Sequence, residues 1–111
     1  MKREKPLGRR VVVKTQAEFT AAIAAAPGSV VVEFTMKGCG ACTDEAPGVK
    51  ALARDTPVTV VQVDADVLPA LADKFDVQAL PAFFAAPSGK QMTPEGAKGL
   101  DDVRAVRKYL R

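Results

Sequence analysis

Histidine and tryptophan are absent from the 111-residue chain, cysteine occurs only twice and tyrosine once. Without histidine the commonest general base and metal ligand is missing, which excludes Ser/His/Asp and Cys/His catalysis and imidazole-based zinc sites. The two cysteines, Cys39 and Cys42, are too few and too close together for the multiply bridged framework of a small disulfide scaffold. No apolar run approaches the ~18 residues of a spanning helix, so no membrane association is expected. Charge is nearly balanced, sixteen Lys and Arg against thirteen Asp and Glu, for a net +3. With five Phe and one Tyr there is also little aromatic surface to stack on bases, and no nucleic-acid partner is expected. What remains is an ordinary globular composition, 48% hydrophobic and 26% charged. A chain of this size supports one core, burying roughly two-thirds of the unfolded surface, which excludes disorder and a second domain.

Lys2, Arg3, Lys5, Arg9, Arg10 and Lys14 make the beginning of the chain basic. The Arg9-Arg10 pair ahead of Val11, Val12 and Val13 has a likeness to a twin-arginine export signal, but Gln16 and Glu18 interrupt the apolar stretch such a signal needs. Residues 1–9 are therefore read as a solvated basic tail, residues 10–111 as one domain, and the protein as cytoplasmic.

Residues 10–13 read as a strand, and Thr15-Gln16-Ala17-Glu18 fits a capping box that opens a helix with Phe19, Ala22, Ile23 and Ala26 on one stripe. Pro27-Gly28 ends it. Residues 30–34 form an apolar run broken by Glu33, the pattern of a central strand covered on both faces. After a loop, residues 39–54 can be helical, with Val49, Leu52 and Ala53 inward and Pro47 as a kink. Residues 58–64 are rich in β-branched side chains and read as a strand, 69–75 as a short helix, and 82–86 as a strand ending in a turn at 87–90. Residues 91–93 are expected to return as an edge strand, with Pro94 suited to an edge. A last helix from Leu100 would turn Leu100, Val103, Val106 and Leu110 inward, with acids early and bases late to match its dipole. The order β-α-β-α-β-α-β-β-α predicts an α/β fold with a mixed sheet covered on both faces and closed by a hairpin.

Cys39 falls where a central strand gives way to a helix. Unpaired N–H groups and the positive end of the helix dipole stabilise a thiolate there. Cys42, one helical turn on, faces inward within disulfide reach. Cys39 is thus expected to attack a substrate disulfide and Cys42 to resolve the mixed disulfide, leaving the pair oxidised. The resolving thiol needs a proton acceptor, for which Glu33 is the candidate: burial disfavours its charged form and should raise its pKa towards neutrality. Inert buried thiols, or a metal or cluster bridged between two copies, are the alternative readings of the pair; two thiolates alone leave a tetrahedral site two ligands short.

Over essentially its whole length, from about Arg9 to Leu110, the chain resembles the thioredoxin family. The resemblance rests on Cys39-Gly40-Ala41-Cys42, an acid six residues earlier at Glu33 and a helix proline eight residues after the first cysteine at Pro47. It also rests on Asp64 closing a strand and on Leu80-Pro81 ahead of an apolar one. It implies a thioredoxin fold, a central mixed sheet of about five strands flanked by about four helices. It also implies a cis bond before Pro81 and a substrate-binding surface of Gly38, Gly40, Ala41, Leu80, Pro81 and Gly96. No cofactor and no metal are implied. The implied partners are disulfide-containing proteins and a recycling flavoprotein of the thioredoxin-reductase type, and the chain is expected to be a monomer. The departures are Gly38 where the family usually has Trp, Ala41 where it has Pro, Glu33 where it has Asp, and Val60 where it often has Lys. A binding module that holds one partner in the same groove, with little or no redox turnover, is the competing expectation.

Overall fold

A computed structural model describes residues 5–111; Lys2 and Arg3 of the basic segment lie outside the described residues. Five strands, β1 (Arg9–Val13), β2 (Val30–Thr35), β3 (Thr59–Asp64), β4 (Ala82–Ala86) and β5 (Lys98–Leu100), form one sheet in the order β1-β3-β2-β4-β5. β1 and β2 run parallel to β3, whereas β4 is antiparallel to β2 and β5. Four helices cover the sheet: α1 (Gln16–Ala25), α2 (Gly40–Asp55), α3 (Pro69–Lys74) and α4 (Val103–Leu110). Among the described residues no helix is long and apolar enough to cross a membrane.

Both faces of the central strands are buried, as continuous runs of β-branched residues require. On one face Val30, Val32 and Phe34 of β2 pack with Phe19 of α1 and Phe75, which joins Phe34 and Phe84 in an aromatic cluster. On the other, Val31 and Val60 meet Val49, Leu52 and Ala53 of α2 and Val103 and Val106 of α4. Side chains alternate along a strand, so Glu33 shares the face of Val31, beneath α2.

Local chemistry sets the helix starts. Thr15 Oγ1 accepts from the Glu18 N–H at 3.0 Å while Glu18 Oε1 accepts from the Lys14 N–H at 2.7 Å, a box closed one residue upstream of the cap. Before β1, the N–H groups of Leu7 and Gly8 donate to the carbonyls of Arg54 and Ala53, fastening the incoming chain to the end of α2.

Two sequence expectations are corrected. Residues 91–93 are not a strand: Gly89–Gln91 is a 3₁₀ turn that lowers Met92 into the core beside α1, and the edge strand is β5, six residues further on than Met92 at its first residue. Leu100 accordingly belongs to β5, and α4 begins at Val103, where Asp102 caps the helix by accepting from the Ala105 N–H at 2.8 Å. Leu100 still packs on the cluster expected of it, now from the sheet rather than from the helix.

Candidate functional site

Where β2 ends, Gly38 takes a φ of 78°, in the left-handed region that a Cβ disfavours, and the chain turns into α2. Cys39 is the N-cap of that helix, with extended backbone, and its Sγ accepts from the Cys42 N–H at 3.1 Å. A sulfur thus occupies the place usually taken by a serine or aspartate oxygen. The helical turn brings the two Cα atoms to 5.2 Å, and the structure holds the Cys39–Cys42 disulfide. The two sulfurs differ in setting: Cys39 is half-buried beside exposed Gly40 and Ala41, whereas Cys42 is 8% exposed. Further along, Pro47 lies inside α2 and cannot donate to the Thr43 carbonyl, a break in the helical ladder.

Leu80-Pro81 is a cis peptide and both residues are half-buried. The antiparallel register pairs Phe34 with Ala82, so the step before Ala82 brings Pro81 towards Thr35 and the loop leading to Cys39. Gly96 is elsewhere. β5 pairs Leu100 with Phe83 and Lys98 with Ala85, so the chain before Lys98 lies beyond the Ala86 end of β4, away from the cysteines. The expected contact of Gly96 with substrate is therefore corrected. The strand direction instead carries Gly99 and Leu100 towards the end of the sheet that bears Pro81.

Glu33 is 2% exposed, paired across β2 and β4 with Phe83 and across β2 and β3 with Gln62. Gln62 Nε2 donates to Glu33 Oε1 at 2.9 Å. Loss of hydration pushes the Glu33 carboxyl above its ordinary range; the Gln62 hydrogen bond opposes this, the like charge of Glu45 adds to it, and Arg10 opposes it weakly. Glu45 has a second attachment, its Oε1 accepting from the Val103 N–H at 2.8 Å, which ties α2 to the start of α4. Val60, at the position where the family often has Lys, is fully buried opposite Val31, and Gln62 rather than Val60 stands in register with Glu33.

Gln62 and Glu45 escaped the sequence reading. Gln62 is a polar residue in a run of valines, and aligning the ends of β2 and β3 at Thr35 and Asp64 would have set it opposite Glu33. Glu45 follows Cys42 by one helical turn, the spacing of a helical neighbour. Among the described residues no cluster of three His, Cys, Asp or Glu could hold a metal.

A half-exposed sulfur that is the helix cap, a buried sulfur one turn later and a buried acid beneath the same helix can together accept and release two electrons with the accompanying proton. The model of the family described as thioredoxin matches residues 10–110. Thioredoxin of Chlamydia trachomatis is 33% identical over 101 residues, covering 90% of this chain and 95% of its own. Thioredoxin H1 of Arabidopsis thaliana is 40% identical over 83 residues, 73% of each chain. Among solved structures, thioredoxin from Trypanosoma brucei brucei superposes with a TM-score of 0.79 at 24% identity, over 100% of this chain and 96% of that one.

Proposed function

This chain belongs to the thioredoxin family and is a thioredoxin-type thiol-disulfide oxidoreductase, and from that premise we propose that it reduces protein disulfides by cycling Cys39 and Cys42 between dithiol and disulfide. The observation that carries the reading is the asymmetry of the pair: one sulfur caps α2 within reach of solvent, the other is buried.

In the reduced chain the Cys39 thiolate attacks one sulfur of a client disulfide; the Cys39–client bond forms, the client S–S bond breaks and one client thiolate leaves. Glu33 then takes the proton of Cys42, whose sulfur attacks Cys39 Sγ. The mixed disulfide breaks, the second client thiolate departs, and the Cys39–Cys42 disulfide forms. Two electrons pass to the client, and its thiolates take their protons from water. An extended client segment lies against Gly38, Gly40, Ala41, Leu80 and Pro81, with the Leu80 backbone as a strand-pairing edge. With no tryptophan beside the nucleophile, this surface has less apolar area for clients than the family usually offers. Electrons return from a thioredoxin-reductase-type flavoprotein, and the protein acts as a cytoplasmic monomer.

Insulin reduction coupled to dithiothreitol tests turnover. Precipitation much faster than with dithiothreitol alone supports the reductase, and an equal rate leaves a binding module. Cys42→Ser should accumulate mixed disulfides through Cys39, and the captured proteins identify the clients.

A further inference from the structure

Glu33 is sealed by protein on most sides. Phe83 of β4 and Val31 of its own strand flank it, Val103 and Val106 bring α4 onto the same face, and the charges of Glu45 on α2 and Arg10 on β1 act on it. Among the described residues its carboxyl has one hydrogen-bond partner, Gln62. Gln62 itself is half-buried, because it also lines a cleft of about 420 Å³ at the C-terminal ends of the three parallel strands, with Val12, Lys14, Lys37, Asp64 and Val67. Neither cysteine lines that cleft. Val12 stands in register with Gln62 and is 65% exposed, so the row Val12–Gln62–Glu33 runs from solvent across β1 and β3 to the buried acid.

We propose that Gln62 is the positioning residue for Glu33, holding its carboxyl beneath α2 and joining it to this cleft, so that the proton taken from Cys42 leaves through the β1 side of the sheet while a client covers the cysteines. The inference rests on the proton-accepting role proposed for Glu33. A primary amide suits both states of the acid, since its N–H donates to the carboxylate and, turned over, its oxygen accepts from the protonated carboxyl. The proton balance closes. It passes from Cys42 Sγ to a Glu33 oxygen as the resolving thiolate forms, and from Glu33 to water at the cleft while the client still covers the cysteines, returning the acid to its carboxylate form. Lys14, Lys37 and Asp64 line the exit itself, so a proton reaching it meets a polar, solvent-facing mouth.

The test uses Ellman's reagent with the reduced full-length protein. The first thionitrobenzoate reports attack by Cys39, and the second reports resolution by Cys42. Gln62→Leu, with Gln62→Met as a second variant of similar length, should leave the first release unchanged. Either should slow the second about three- to tenfold at neutral pH, as expected for the net loss of one ordinary hydrogen bond. The rate profile should move to higher pH, and the Glu33 carboxyl signal in carbon-13 NMR should titrate later than in the parent. Val12→Trp, which roofs the cleft, should slow the second release without moving the Glu33 titration. An unchanged second release in both Gln62 variants overturns the positioning role, and an unchanged one in Val12→Trp overturns the route. Glu33→Gln separates the two levels. If it leaves the second release untouched, the acid is not the acceptor and this inference falls with it; if it slows that step while the Gln62 variants do not, only the inference on Gln62 fails.

Discussion

The backbone N–H of Cys42 points at the sulfur of Cys39, 3.1 Å away, so Cys39 caps the helix through the backbone of its own disulfide partner. On reduction the same N–H, with the neighbouring free amides of the first turn, faces a thiolate and stabilises it. Cys42 lies inside the helix rather than at its cap and is 8% exposed. Reduced protein treated with iodoacetamide at neutral pH should therefore lose Cys39 at least about tenfold faster than Cys42, read by mass spectrometry of the labelled peptides. Equal rates would remove the asymmetry on which the cycle depends.

Ala41 contributes one of those free amides, and proline has none. Ala41→Pro should stabilise the Cys39 thiolate less and so make the dithiol form less favourable, giving a more reducing couple by about tens of millivolts. Equilibration of both proteins against glutathione buffers measures the shift; coincident curves would show that the Ala41 N–H has no part in setting the potential.

Glu33 holds its proton more tightly in the folded chain than in the unfolded one, where the ordinary value near 4.5 applies. The folded state therefore binds more protons above that value. The stability contributed is whole below 4.5 and is lost as the pH rises through the raised value. Glu33→Gln, uncharged at every pH, should melt a few degrees above the parent near pH 8, and the gap should close near pH 4. A constant gap across that range would mean that the carboxyl is not destabilised by burial.

Glu45 joins two effects that substitution can separate. Glu45→Ala removes the acceptor for the Val103 N–H and should destabilise the chain by about 0.5–2 kcal/mol, the usual range for a lost helix cap, measured by urea denaturation. Glu45→Gln keeps an acceptor oxygen and should lose little. Both remove a like charge from the neighbourhood of Glu33, so in both its titration should move down.

Gly8 and Gly48 should respond oppositely to alanine. A Cβ on Gly8 would run into the backbone carbonyls of Val58 and Thr56, so Gly8→Ala should destabilise by more than about 1 kcal/mol. A Cβ on Gly48 would rest 3.4 Å from Val103 Cγ1, an ordinary contact, within the helix α2. Gly48→Ala should stabilise by about 0.5–1 kcal/mol through helix propensity. Thermal melts of the two variants decide both.

Some of the site was legible because its signals are local. Cys39 and Cys42 fall on one helical turn, Pro47 is a residue type that marks its own backbone, and Glu33 stands out as an acid inside an apolar run. The edge strand was misplaced because Lys-Gly-Leu carries no alternation of its own, whereas Gln-Met-Thr imitates one; Met92 is apolar because a 3₁₀ turn buries it against α1. Gly96 was misassigned for a related reason. Its distance from Cys39 follows from the direction of β5, which a three-residue strand takes from β4.

The order of strands and helices, the dithiol on a helix start and the exclusion of imidazole chemistry were written in the amino-acid sequence, because each depends on residue type and on spacing within a few turns of chain. Tertiary structure alone decided that Gln62, 29 residues from Glu33, is a hydrogen-bond donor to the acid, and that Gly99 rather than Gly96 faces the site end of the sheet. Strand order and register come from packing both faces of the sheet at once. That sum over distant side chains leaves no mark on a short segment.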